Sequence, residues 1–134
     1  MKTPLPLVCL LTAIPALALA ADTTTTVPVH FATGASSSVI KGRLKGYDTV
    51  LYTLSVKGGQ KMTVGVTGSS NANFNLFAPG DKPGQSTALG GGAVGQDWSG
   101  VLPVSGTYSV QVYQMRATAR RGEKVNYSIH FRIE

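Results

Sequence analysis

Apolar side chains recur at every second position through most of this chain. Val50, Tyr52, Leu54 and Val56 alternate with polar or small neighbours, as do Met62, Val64 and Val66, then Tyr108, Val110 and Val112. The closing run of Tyr127, Ile129, Phe131 and Ile133 repeats the pattern around Ser128, His130 and Arg132. Successive side chains of a strand point to opposite faces, so a period of two predicts strands with one face in a core and the other in water. Weaker segments extend the series. Val27, Val29 and Phe31 form a short strand that Pro28 assigns to an edge. Residues 39–44 give a second strand, Phe74 and Leu76 mark another, and residues 98–102 another.

Turn chemistry separates these runs. Residues 22–26 read as a polar lead-in and 33–38 as a glycine and serine loop, while Lys57-Gly58-Gly59-Gln60 reads as a hairpin. The glycine-rich segment 86–96 reads as a long loop or a poorly paired edge. No segment sustains a 3.6-residue period, and 114–124 has room for a helical turn at most. Closely spaced short strands with turns between them predict an all-β fold, a single antiparallel β-sandwich of roughly eight short strands.

The N-terminus changes where this domain begins. Lys2, an apolar run from Leu5 to Leu17 and then Ala18-Leu19-Ala20 have the form of a secretory signal peptide. The run is short for a bilayer span and carries Pro6 and Pro15, which disfavours a stable membrane anchor. Cleavage before Ala21 divides the chain into a signal peptide, 1–20, and one mature domain, 21–134. It would also remove Cys9, the only cysteine, and with it disulfide or thiolate chemistry. Most of the apolar run follows Cys9, which argues against lipidation there. Loss of Lys2 takes the formal charge from +6 to +5. An exported, basic domain could meet anionic lipid, anionic glycan or an acidic protein cleft. Its aromatics are in core phase and no nucleic-acid motif is present, so no nucleic-acid partner is expected.

Catalytic constellations are sparse. His30 and His130 occupy polar phases of strands, and the internal acids are Asp48, Asp81, Asp97 and Glu123. These offer neither a nucleophile with a base nor paired carboxylates at recognisable spacing. No metal-ligand spacing is visible, and the run Gly90 to Gly95 lacks the lysine and helix start of a phosphate loop. We expect neither an enzyme nor a cofactor.

What remains is the stretch from Val101 to Lys124. A turn, Pro103-Val104-Ser105-Gly106-Thr107, feeds a strand that runs out into Arg116, Arg120 and Arg121, the densest basic cluster. Taken singly, Ser-Gly-x-Tyr is a common way to turn into a sandwich strand, and an arginine cluster can be solvated loop charge. Tyr47 lies in a glycine-flanked turn where its ring could face the core or a partner.

In order along the chain, Lys45-Gly46-Tyr47-Asp48, Val56-Lys57-Gly58-Gly59-Gln60-Lys61, Leu102-Pro103-Val104-Ser105-Gly106-Thr107-Tyr108 and Gln114-x-Arg116-x-x-x-Arg120 resemble the bacterial periplasmic lysozyme inhibitors. The closest likeness is to inhibitors of goose-type (g-type) lysozyme, with those of invertebrate-type (i-type) lysozyme next. The similarity spans most of the mature chain; the middle, 83–96, does not match. The resemblance implies a periplasmic β-sandwich whose loops enter the cleft of a host lysozyme, protecting the bacterial wall. It assigns Ser105, Gly106 and Tyr108 to one part of the contact and Tyr47, Arg116 and Arg120 to a second. Tyr108, if its ring is core-phased, would instead stiffen the loop. Acting as one plug requires the small-residue bend and the guanidinium groups to share a surface. Two other readings stay open: a peptidoglycan- or carbohydrate-binding sandwich module, and a structural envelope protein. An edge strand could also pair with a second copy to give a homodimer.

Overall fold

The computed structural model describes residues 23–134, so the expected signal peptide and its cleavage site lie outside the described residues. Nine strands and one short helix follow in the order β1 (Thr24–Pro28), β2 (Ser37–Lys45), β3 (Thr49–Val56), β4 (Lys61–Gly68), β5 (Ala72–Phe77), β6 (Gly90–Ala93), β7 (Trp98–Val101), β8 (Gly106–Gln114), α1 (Arg116–Arg120) and β9 (Lys124–Ile133). They form two facing sheets, β1-β3-β8-β5-β6 and β2-β9-β4-β7. This is the expected all-β sandwich.

The alternating apolar positions build its core. Tyr52 and Leu54 of β3, Met62, Val64 and Val66 of β4, Phe74 and Leu76 of β5, Tyr108, Val110 and Val112 of β8, and Ile129 and Phe131 of β9 are all buried. Burying such a side chain is worth about 1.5–3 kcal/mol each, and that favours one register over its neighbours. Between the sheets, the rings of Tyr52 and Phe131 meet at a centroid separation of 5.5 Å and a tilt of 56°, within the favourable range for aromatic pairs. Beside them the hydroxyls of Tyr52 and Tyr127 share a hydrogen bond of 2.7 Å. Burial raises both phenols above the ordinary tyrosine value of 10.0, so the pair is held neutral.

Three local expectations need correction, and a fourth, left between two alternatives, is resolved. The segment read as a polar lead-in supplies Thr24, Thr25 and Thr26 to β1, which pairs in parallel with β3 from Thr24↔Thr49 to Pro28↔Thr53. Backbone pairing drew these threonines into the sheet, whereas alternation reports only apolar faces. The Lys57–Gln60 turn is tight, with Gln60 N–H donating to the Lys57 carbonyl at 3.1 Å. It does not close a hairpin, however, because β3 and β4 belong to opposite sheets. Third, Phe31, read as part of the first strand, lies beyond the end of β1 at Pro28, although it still packs against the core. Finally, within the glycine-rich segment, Gly90–Ala93 forms an edge strand on β5, which realises the edge alternative. Any side chain at Gly90 would overlap the Trp98 indole, and one at Gly92 would overlap the Gln96 carbonyl. The glycines here allow close packing.

Candidate functional site

β8 separates two ends of the sandwich. Nine residues of strand, Gly106–Gln114, span roughly 27 Å at about 3.4 Å per residue. Ser105, Gly106 and Tyr108 sit where β8 begins, and Arg116 follows where it stops. The small-residue bend and the guanidinium groups therefore do not share a surface, and the expectation of one joint plug is corrected. Eleven positions of sequence separation looked close, but extended backbone converts them into nearly the length of the domain.

The bend is an internal brace. Ser105 Oγ accepts a 2.8 Å hydrogen bond from Gly58 N–H in the β3–β4 turn. The Tyr108 ring is buried, and its hydroxyl donates to the Val104 carbonyl at 2.7 Å while accepting from Val104 N–H at 3.3 Å. Gly106 adopts a φ of +152°, and Pro79 fills the space a side chain would need. Tyr108 thus stiffens the turn, as its core phase predicted.

The opposite end is open and basic. Tyr47 stands in the β2–β3 turn, 45% exposed, and Met115 is 57% exposed at the start of α1. Arg116 and Arg120 are four residues apart on this one-turn helix, a spacing that puts them on the same face. Ala119, buried, turns the other face inward. Arg121 points to Glu123 in a 3.1 Å ion pair, while neither Arg116 nor Arg120 makes an ion pair among the described residues. Lys45, Gly46, Tyr47, Asp48, Ala119 and Arg120 are among the residues lining a groove of about 240 Å³. The turn and the helix are thus neighbours in space.

Gln114 connects them. It is the one buried polar side chain among the described residues, and its Nε2 donates to the Gly46 carbonyl at 3.2 Å and to the Glu123 carbonyl at 2.6 Å. Gly46 N–H reaches the same Glu123 carbonyl at 3.0 Å. Two carbonyl acceptors fix which amide atom is nitrogen, and Gln114 Oε1 is left buried with no partner. This end of the domain therefore presents an aromatic ring, a thioether and two unpaired guanidinium groups on a pinned backbone. Aromatic residues, methionine and arginine are the types enriched at protein interfaces. Met115 and Gln114 had no sequence signal for these roles: one looks like a loop methionine, and the other falls in core phase.

No family model matches the chain. Among curated proteins it is 32% identical over 108 residues to the inhibitor of g-type lysozyme from Escherichia coli (strain K12), covering 81% of this chain and 80% of that protein. Among solved structures, the periplasmic inhibitor of g-type lysozyme from Aeromonas hydrophila is 58% identical, with a TM-score of 0.83 over 85% of this chain and all of that one. Its counterpart from Salmonella Typhimurium is 30% identical, with a TM-score of 0.63 over 82% of this chain and 98% of the other. The extent of these matches settles the family, and the chain belongs to the inhibitors of g-type lysozyme.

Proposed function

We propose that this protein acts in the periplasm as an inhibitor of g-type lysozyme, and that residues 21–134 are the mature inhibitor. The observation that carries the reading is 58% identity to the Aeromonas hydrophila inhibitor along that protein's whole length. The enzyme-binding surface in this reading is the end that holds Tyr47, Arg116 and Arg120. A lysozyme cleft is shaped for polysaccharide and carries a catalytic carboxylic acid. Arg116 and Arg120, with no carboxylate partner among the described residues, are free to form bidentate hydrogen bonds to such a group. Tyr47 and Met115 supply apolar contact beside them. Each charge-assisted hydrogen bond is worth about 1.5–3 kcal/mol, so two arginines are enough to dominate the affinity. Ser105, Gly106 and Tyr108 act at a distance, by keeping the far end of the sandwich rigid.

Mixing the purified mature protein with g-type, i-type and chicken-type lysozymes in a cell-lysis assay tests this directly. Inhibition of the g-type enzyme is expected, and the i-type arm decides whether the target range is broader. Failure to inhibit the g-type enzyme at concentrations far above that of the enzyme would sink the proposal. Pelleting with isolated wall material, without inhibition, would favour a peptidoglycan-binding module. Blockade through this end needs only a monomer, so any dimer formed through an open sheet edge leaves the predicted inhibition unchanged.

A further inference from the structure

The outward face of the β2-β9-β4-β7 sheet carries a feature that inhibition through the Tyr47 end does not explain. Lys41, Arg43 and Lys45 alternate along the exposed face of β2. In the antiparallel register with β9 they stand opposite Ser128, Asn126 and Lys124. Four cations thus cover a strip about 13 Å long, at about 3.4 Å per residue along β2. None of the four makes an ion pair among the described residues, where the pairs are Arg121–Glu123, His130–Asp97 and Arg132–Glu134. A single carboxylate, Asp48, shares the shallow groove lined by Arg43, Lys45, Lys124 and Asn126, and its Oδ1 already accepts a hydrogen bond from Thr23 N–H.

The fold bears a cost for this arrangement. Lys45 and Lys124 are directly opposed across the strand pair, and like charges in that position are destabilising. Lysines on an edge strand commonly guard against edge-to-edge pairing, which accounts for Lys41 and Lys45 on β2. Lys124 lies on β9, inside β2 in the sheet order but past the Gly68↔Tyr127 end of the β4 ladder, and Arg43 adds a further unpaired cation on the same face.

We infer that this strip is a docking face for the anionic phospholipid headgroups of a bilayer surface, holding the inhibitor reversibly at a membrane. A sheet face brings all four cationic side chains to one side, where they can reach a planar array of phosphates together. A protein cleft would contact only some of them. Lys45 also lines the Tyr47 groove, so the strip adjoins that end, while Lys41 and Arg43 extend it along β2 away from Tyr47 and α1. Each basic side chain near an anionic membrane raises partitioning about fivefold, and the gain is screened by salt.

The test is co-sedimentation of the mature protein with vesicles of phosphatidylethanolamine and phosphatidylglycerol, against vesicles of phosphatidylcholine and against isolated peptidoglycan. Salt-sensitive pelleting with the phosphatidylglycerol vesicles alone is expected. Lys41→Gln/Arg43→Gln/Lys124→Gln should lower that partitioning roughly 100-fold, with inhibition of lysozyme in solution retained. Lys57→Gln/Lys82→Gln/Arg121→Gln removes the same number of positive charges outside this face and should have far less effect. Lys124→Gln alone relieves the clash with Lys45 without risk to the fold, and should lower partitioning about fivefold. No vesicle binding at low salt, equal losses in the two triple variants, or pelleting with peptidoglycan in place of vesicles would each overturn the inference. The assay contains no lysozyme, so its outcome is independent of the inhibitor reading.

Discussion

Gln114 and Gly46 are 68 positions apart in the chain, yet the Gln114 amide donates to the Gly46 carbonyl. The same amide holds the Glu123 carbonyl, just beyond α1. One buried side chain therefore sets the turn that displays Tyr47 against the helix that displays Arg116 and Arg120. A free loop would have to be ordered when it met an enzyme, and pinning it beforehand removes that cost from binding.

Replacing Gln114 with leucine keeps the bulk of the side chain and deletes both hydrogen bonds. The Glu123 carbonyl keeps its bond from Gly46 N–H, but the stranded Gly46 carbonyl should lower unfolding free energy by about 1–3 kcal/mol. Inhibition should weaken as well, because the turn and the helix are then tied only by the Gly46 N–H bond to the Glu123 carbonyl. Urea unfolding and lysozyme titration on one sample check both. Unchanged inhibition would show that the helix and turn hold their places without the amide.

Gly42 makes room for Tyr127. The two are paired across β2 and β9, and a side chain at position 42 would overlap the Tyr127 ring and hydroxyl. Gly42→Ala should therefore push Tyr127 off Tyr52 and cost about 1–3 kcal/mol, as overpacking of a tight core does. Thermal melting of that variant gives the answer; an unaltered melting temperature would mean that the ring can move at little cost.

These positions also mark what could be read in advance. The strands of the core were legible because each buries one face, which forces apolar residues into a period of two at Tyr52, Val64, Tyr108 and Ile129. Gly90–Ala93 was legible only as a loop or a poor edge, because its constraint comes from Trp98 and Gln96, which crowd it in space. The candidate contact was legible in part. Resemblance picked out Tyr47, Arg116 and Arg120, and the fold brings the first and last to one groove. It also picked out Ser105, whose partner is Gly58 in a neighbouring turn. Whether a small polar residue faces a ligand or braces a loop depends on that neighbour, and nothing local in the sequence names it.

The buried tyrosine pair predicts loss of stability at high pH. Tyr52 and Tyr127 are both held protonated by burial. In the unfolded chain they ionise near the ordinary value of 10.0, so above that pH the native state holds more protons than the unfolded one. Their contribution is fully present below that value and is lost as pH rises beyond it, by up to about 1.4 kcal/mol per pH unit for each tyrosine. Urea midpoints measured on either side of about pH 10 should fall, and Tyr127→Phe should make the fall shallower. An equal slope in the variant would assign the alkaline transition to other groups.

Which end of the sandwich meets the enzyme is decided by comparing inhibition constants for a g-type lysozyme between Arg116→Ala/Arg120→Ala and Ser105→Ala. Loss of two charge-assisted contacts predicts a constant raised by at least about 100-fold for the arginine pair. Ser105→Ala, at the far end of β8, should stay close to the unsubstituted protein, and both variants should remain folded by melting temperature. The opposite result, with the arginine pair still potent and Ser105→Ala crippled, would contradict the assignment and move the contact to the Ser105 bend.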